Sequence, residues 1–386
     1  MINNIATKTY EDYSSLKENF AEFNADSLGK LGTYESDGCC FKRALRTIPK
    51  GYKLKGNSAK ELFLGCRSLV SVPQLDTSSV TDMYHMFQNC KSLVSAPQMD
   101  TSKVTDMSYM FGGCNALVSI PQYDTSKVLT AERMFYNCTS LKSIPDMDFS
   151  ECVDIEYCFA SSTALETVGE LKFGKCKNLT GLFNDCSNLT SVLAMDTSQV
   201  TNMGSMFEYC RSLTTVPQLD TSQVTNMRSM FSGCRSLTTV PQLDTSQVTN
   251  MSFMFYTQDS ILTSVPAMDT SQVTDTWAMF AGCRSLTTLG TETIVKTVDG
   301  VETSQIPWVF KVSVDFSPTK LDKASIEHVA ENVGESTSSP TLTINKLIAR
   351  NICEQTDESY DYESDAKFTA FKEKLVAKGW SLAIKG

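Results

Sequence analysis

The sequence predicts an α/β repeat protein, a solenoid of about ten coils of 24 residues with a cap at each end. The first observation is the segment Arg211–Met227, which is repeated without change at Arg235–Met251. The second is that so short a unit cannot bury its own apolar face, so neighbouring units must stack. The third is a phenylalanine that recurs every 24 residues, with a last step of 25, at Phe63, Phe87, Phe111, Phe135, Phe159, Phe183, Phe207, Phe231, Phe255 and Phe280.

Residues 1–44 precede the repeats and predict an N-terminal helical cap or, alternatively, a docking segment for a larger assembly. The ends of a repeat array need capping. The repeat region is expected to span residues 45–290, because Leu45 and Ile48 lie 24 residues before Leu69 and Val72. An amphipathic helix in the first segment is indicated by the spacing of Tyr10, Tyr13, Leu16, Phe20 and Phe23.

Within one coil, the apolar residues predict a short helical arc followed by a short strand. Val80, Met83, Phe87 and Cys90 are three, four and three apart, as on one face of a helix. The following residues 93–99 read as a strand, which must be very short because its proline removes a ladder donor. The Asp-Thr-Ser sequence that follows is typical of a turn.

Residues 291–386 predict a hairpin and an α/β C-terminal cap. Asp299-Gly300 stands between β-favouring residues, which is a strong hairpin signal. Apolar spacing then predicts a helix over 321–333, a strand at 342–344, a second helix around 368–375 and a final strand at 380–384.

The chain has 14 cysteines, which are expected to be structural. Free cysteine behaves as a small buried hydrophobe, and no Cys-x-x-Cys pair suggests zinc. Adjacent Cys39 and Cys40 are the only pair expected to show redox behaviour. The predicted core consists of the recurring phenylalanines and the cysteines that follow them by three residues, best represented by Phe87, Phe111, Phe135, Phe207, Phe231, Cys90, Cys114, Cys210 and Cys234.

A recurring aspartate is interpreted as a turn cap that accepts hydrogen bonds from local amides. The alternative is a row of calcium sites, but each repeat offers one carboxylate and calcium takes six or more oxygens. No metal and no cofactor are therefore expected. The aspartates are Asp76, Asp100, Asp124, Asp196, Asp220, Asp244 and Asp269.

The repeat resembles the BspA-like leucine-rich repeat family in its variant Asp-Thr-Ser-x-Val-Thr-x-Met-x-x-Met-Phe-x-x-Cys-x-Ser-Leu. The resemblance covers roughly Leu45 to Leu289, although Ser162 and Gln258 replace the expected cysteine. It implies a leucine-rich-repeat-like solenoid. It also implies a surface protein with adhesion or binding repeats, of the kind found in bacteria and their phages.

The net charge of −10 and the pI of about 4.9 argue against nucleic acid and against anionic membrane surfaces as partners. No apolar run reaches the roughly 20 residues that cross a bilayer, so membrane insertion is not expected. The first residues lack a basic and then apolar pattern, which predicts synthesis in the cytosol without a signal peptide.

Two surfaces are candidates for ligand binding. One is the outward side of the strands, represented by Ser95, Ser119, Thr215 and Thr239, which fits a repetitive partner such as a polysaccharide. The other consists of variable positions, represented by Tyr84, Tyr109 and Phe253. Catalysis is not expected, because two histidines and no nucleophile motif give acid–base chemistry little to work with.

Two functions remain open from the sequence. The first is a non-catalytic adhesion protein that recognises a glycan or protein on a host surface. The second is a structural or decorating component of a phage virion, assembled in the cytosol from other virion proteins and able to act in receptor binding. A cell-surface location goes with the first function, and incorporation into a virion goes with the second.

Overall fold

The computed structural model describes residues 46, 48, 54, 56–298, 301–336 and 338–385. The predicted N-terminal segment 1–44, with the Cys39-Cys40 pair, lies outside the described residues. The chain divides into two compact units. Unit 1 holds the described residues up to Asn178 together with Leu182–Leu189, and unit 2 holds Leu179–Gly181 and the chain from Thr190 onward.

Within each unit, successive coils are joined by backbone hydrogen bonds. In unit 1 the N–H groups of His85 and Phe87 donate to the carbonyls of Ser108 and Met110 at 3.0 and 2.8 Å. Unit 2 repeats this arrangement, so each arc satisfies part of its backbone through the next coil. Parallel bridges join Ser58, Asp82, Asp106, Thr130 and Asp154 in succession in unit 1, and Asn202, Asn226, Asn250 and Asp275 in unit 2.

The predicted helical arc is wrong. In the described coils the segment around the repeat phenylalanine is a series of turns, with no helix. His85 and Asn89 have φ angles of 55° and 61°, which is left-handed backbone that interrupts a right-handed helix. The local bonds run from Met86 N–H to Met83 O and from Cys90 N–H to Phe87 O. Alternate N–H groups are thereby directed at the neighbouring coil, and the three-four-three spacing reflects an inward face without a helix.

The core of each unit is a stack of phenylalanine rings, every one at most 2% exposed. Neighbouring centroids are 5.2 to 5.7 Å apart in unit 1 and 5.8 to 6.0 Å apart in unit 2. These separations are those of offset-stacked aromatic pairs. Cys90, Cys114, Cys210 and Cys234 are also buried, at most 3% exposed.

The strands of the coils are very short and pair in parallel. They are β1 (Ser143–Ile144) with β3 (Thr167–Val168), β2 (Met147–Phe149) with β4 (Leu171–Phe173), and β5 (Ser264–Val265) with β6 (Thr288–Leu289). At Ser95 and Ser119 only a single bridge forms. Pro97 is buried, which limits that strand and contradicts the expectation that its ring points outward.

The C-terminal part of unit 2 begins with a hairpin of β7 (Ile294–Val298) and β8 (Val301–Gln305), where Asp299-Gly300 predicts one. A three-stranded parallel sheet follows in the order β11-β10-β9. Helix α2 directly follows β10 and was not predicted. The elements are β9 (Val314–Asp315), α1 (Lys323–Asn332), β10 (Thr341–Asn345), α2 (Lys346–Ile352), a 3₁₀ turn (Tyr362–Ser364), α3 (Ala366–Ala377) and β11 (Ser381–Lys385).

Among the described residues, no helix is long and apolar enough to span a bilayer.

Candidate recognition surface

The cysteine row is part of the core. The Cys90 thiol donates to the carbonyl of Phe63 at 3.1 Å, and the same bond forms from Cys114 to Phe87. Ser162, which replaces a cysteine, donates its hydroxyl to Phe135 O at 2.8 Å. The position therefore requires a small donor that links each coil to the preceding one.

We expect the described cysteines to be unreactive in the native protein. All twelve are buried and free, and burial raises the pKa of Cys138 to about 12, so little reactive thiolate is present at pH 8. Titration with Ellman's reagent at pH 8 should detect at most two of the 14 thiols before urea is added, and all of them afterwards. Rapid reaction of more than two thiols in the native state would contradict this packing.

The recurring aspartates cap turns, as the sequence predicts. Asp100 accepts hydrogen bonds from the hydroxyl and the backbone N–H of Ser102, at 2.7 and 3.0 Å, and these bonds lower the pKa of its carboxyl. Such side chain to backbone bonds are typical of Asx turns. The same turn forms at Asp76, Asp124, Asp196, Asp220, Asp244 and Asp269.

A second capping row, which the sequence analysis missed, starts each arc five residues before the phenylalanine. Asp82 accepts from the N–H of Tyr84 at 2.9 Å, and Asp275 accepts from the N–H of Trp277 at 3.0 Å. These bonds fix the backbone of the residues that begin the arc. Asparagine takes this place in unit 2, where Asn226 also donates its amide to Asn202 at 3.0 Å.

The outward side of the strands is exposed but chemically plain. Ser95, Ser119, Thr215 and Thr239 are all exposed. A shallow cleft of about 450 Å³ lies beside Thr239 in unit 2. Serine and threonine are not the residue types that dominate binding energy at protein interfaces, which are tryptophan, tyrosine and arginine.

We use the term arc face for the two residues that stand three and two positions before each repeat phenylalanine. The second of each pair has a left-handed backbone, with φ of 55° at Tyr109 and 57° at Phe253. The residues at these positions differ from coil to coil. They are Lys60, Glu61, Tyr84, His85, Ser108, Tyr109, Glu132, Arg133, Glu156 and Tyr157 in unit 1, and Thr180, Gly181, Gly204, Ser205, Arg228, Ser229, Ser252, Phe253, Trp277 and Ala278 in unit 2.

In unit 1 the arc face carries a tyrosine strip, formed by Tyr84, His85, Tyr109, Arg133 and Tyr157. His85 stacks on Tyr84 at 3.8 Å between centroids and lies 4.7 Å from Tyr109. Arg133 lies over the rings of Tyr109 and Tyr157 at 5.6 and 5.0 Å, and its guanidinium donates to the Tyr109 hydroxyl at 2.6 Å. The strip is therefore held by ring stacking and cation–π contacts from coil to coil.

In unit 2 the arc face carries a tryptophan cluster, formed by Arg228, Phe253, Tyr256 and Trp277. Trp277 is 69% exposed and meets the Phe253 ring edge-on at 4.6 Å. Arg228 lies over Phe253 at 4.9 Å and donates to the Ser252 hydroxyl at 2.9 Å. Tyr256, one position after a repeat phenylalanine, packs edge-on against Phe253 at 5.8 Å.

The structure thus separates the predicted site residues. Tyr84 and Tyr109 belong to the tyrosine strip and Phe253 to the tryptophan cluster, whereas the serine and threonine candidates lie on the strand side. Arg133, Tyr157, Arg228 and Trp277 were missed. Aligning the repeats on their phenylalanine would have found them, because the positions just before that residue vary while the rest of the repeat is nearly uniform.

Stacked coils with a buried Leu and Phe core, short parallel strands and turn-built arcs define a leucine-rich-repeat-like protein. Residues 57–173 and 177–293 match the model of the family described as "Mycoplasma protein of unknown function, DUF285", to which the chain belongs. Residues 131–217 match the model of the BspA type leucine-rich repeat region. No curated protein shows significant similarity to the chain.

Two solved structures are similar to the chain. A leucine rich cell surface protein from Faecalibacterium prausnitzii is 19% identical, with a TM-score of 0.37, over 65% of this chain and 80% of that one. A leucine-rich repeat protein from Bacteroides ovatus is 18% identical, with a TM-score of 0.38, over 89% of this chain and 92% of that one.

Proposed function

We propose that this chain is a non-catalytic recognition protein that binds a partner protein through its arc face. The observation that carries the proposal is the choice of residues at left-handed positions. Left-handed backbone costs a non-glycine residue about 1–2 kcal/mol, yet the chain places Tyr109, Arg133, Tyr157 and Phe253 there. These residue types and the exposed Trp277 are those of binding hot spots.

The placement of the two histidines supports a role without catalysis. His85 lies between the rings of Tyr84 and Tyr109, and burial lowers the pKa of its imidazole. His328 Nε2 lies 3.3 Å from the carbonyl of Pro307. Both rings occupy packing positions, and general acid–base chemistry needs a reacting group within hydrogen-bond reach.

We infer further that the chain forms about ten coils of 24 residues and that residues 291–386 cap the last one. Phe316 stacks on Phe280, the last ring of the repeat, at 5.0 Å. The backbone N–H of Leu289 donates to the Ser325 hydroxyl at 2.9 Å, and Lys320 N–H donates to Leu286 O at 2.8 Å. Such contacts cover the apolar end that a stack of repeats would otherwise expose.

The alternative is a component of a phage virion that is assembled in the cytosol. It is favoured by the twelve described cysteines, which are free and buried and therefore suit assembly in a reducing compartment. Recognition of a glycan would use the hydroxyl-rich strand side. Mass spectrometry of purified particles, envelope and cytosol distinguishes these locations: enrichment in particles supports the virion role, and enrichment in the envelope supports surface binding.

Site-specific photo-crosslinking tests the proposed function. The photoreactive residue p-benzoylphenylalanine replaces Trp277 on the arc face or, in a matched variant, Thr239 on the strand side, and the cells that make the protein are irradiated. We expect a crosslinked partner protein from position 277 and none from position 239. Crosslinking from position 239 alone, or from neither position, would overturn recognition by the arc face.

A further inference from the structure

The tyrosine strip lies in a strongly acidic part of the surface. Six carboxylates stand on the arc face of unit 1 or in the capping row beside it, against the two cations Lys60 and Arg133. The guanidinium of Arg133 already pairs with Glu132. The six carboxylates are Glu61, Asp82, Asp106, Glu132, Asp154 and Glu156.

These carboxylates act on the strip electrostatically. Burial, followed by the charges of Asp106, Glu61, Glu132 and Asp82, raises the pKa of the Tyr84 hydroxyl. Burial and the charges of neighbouring acids likewise raise the pKa of Glu156. A negative potential therefore surrounds the aromatic rings.

The strip also shows how it accommodates a cation. Lys60 Nζ lies over the Tyr84 ring at 4.7 Å, and Arg133 lies over Tyr109 and Tyr157. Aromatic faces attract ammonium and guanidinium groups through the ring quadrupole. Carboxylates beside those faces add direct attraction for the same groups.

The acidity is a property of unit 1. The capping row holds Asp82, Asp106 and Asp154 there, whereas the corresponding positions in unit 2 hold Asn202 and Asn226, with Asn250 after them. Asparagine forms the same turn, since Asn226 accepts from the N–H of Arg228 at 3.0 Å. Capping alone therefore does not require aspartate.

We propose that the tyrosine strip binds a lysine- or arginine-rich segment of a partner protein. The inference rests on the proposed function and specifies the chemistry of the partner at one of the two clusters. The segment's cations would lie against the tyrosine rings and among the six carboxylates. The tryptophan cluster, which carries Arg228 and fewer acids, would contact a different part of the partner.

The test uses the full chain and a defined probe. The probe is a fluorescein-labelled peptide with four lysines separated by Gly-Ser, and its binding is measured by anisotropy at 50 and 300 mM salt. The same peptide with acetylated lysines is the uncharged control. We expect binding of the lysine peptide only, weakened about tenfold or more at the higher salt because exposed charges are screened.

Matched variants distinguish a specific site from general attraction to an acidic protein. Asp82→Asn combined with Asp106→Asn keeps the turn bonds and should weaken binding about fivefold. Tyr157→Leu should weaken it by a similar factor, and Tyr157→Phe should not, because phenylalanine keeps the cation–π face. Glu358→Gln combined with Glu363→Gln, in the exposed C-terminal region, removes the same charge and should have no effect.

Equal losses in the two double variants, or equal binding of Tyr157→Leu and Tyr157→Phe, would overturn the inference. Absence of lysine-peptide binding would overturn it as well. If crosslinking from position 277 still captured a partner, the proposed function would stand without this inference. Loss of crosslinking with retained peptide binding would separate the two claims in the opposite direction.

Discussion

Replacing Gly282 by alanine is expected to destabilise unit 2 by more than about 3 kcal/mol. Gly282 has a φ of +81°, and a Cβ built on it would lie 1.8 Å from the carbonyl oxygen of Thr257. That oxygen belongs to the backbone of the preceding coil, whose Thr257 N–H is bonded to Ala281 O at 3.0 Å. The clash cannot be relieved by moving a side chain, so the two coils must separate. The free energy of unfolding in urea, followed by circular dichroism, measures the loss.

Gly65→Ala is the matched control for this prediction. Gly65 occupies the corresponding place in the first described coil, with a φ of +75°, but a Cβ there meets nothing within 4 Å. Only the left-handed backbone penalty of about 1 kcal/mol is expected. Similar losses for the two substitutions would mean that the coils in unit 2 are less closely packed than described.

Removing one ring from the phenylalanine stack should cost nearly as much. Phe111 is completely buried in unit 1, between Phe87 at 5.4 Å and Phe135 at 5.6 Å. Phe111→Ala leaves a cavity and ends the stack in both directions, so we expect a loss of about 3–5 kcal/mol in the free energy of unfolding. Urea unfolding followed by circular dichroism reports the change.

The control for the stack is Tyr136→Ala, an aromatic deletion on the surface of the same unit. Tyr136 is 38% exposed, so its removal should cost less than about 1 kcal/mol. All three tryptophans, Trp277, Trp308 and Trp380, belong to unit 2, and their fluorescence reports whether that unit unfolds together with unit 1. Equal losses from Phe111→Ala and Tyr136→Ala would contradict a core built on the ring stack.

Much of the fold follows from the repeat. A phenylalanine at constant spacing must occupy equivalent places in stacked coils, and the Asp-Thr-Ser turns follow from side chains that bond to local amides. The apolar spacing also indicated α1, β10, α3 and β11. The arc was misread because the spacing of Val80, Met83, Phe87 and Cys90 defines an inward face but does not reveal backbone handedness.

The candidate site was predictable only in part. Tyr84, Tyr109 and Phe253 stood out as variable aromatic residues, whereas the significance of Arg133 depends on contacts with rings in two neighbouring coils. Such contacts between residues 24 positions apart need the register of the stack. Helix α2 was missed for a similar reason, since its cap, Asn345, is the last residue of a strand.

The most direct test of recognition by the arc face is the crosslinking comparison carried out in both units. The photoreactive residue is placed at Tyr157 and Trp277 on the arc face, and at Ser95 and Thr239 on the strand side. The account predicts crosslinks to a partner protein from positions 157 and 277 and none from positions 95 and 239. Crosslinks confined to positions 95 and 239 would contradict it and identify the strand side as the binding surface.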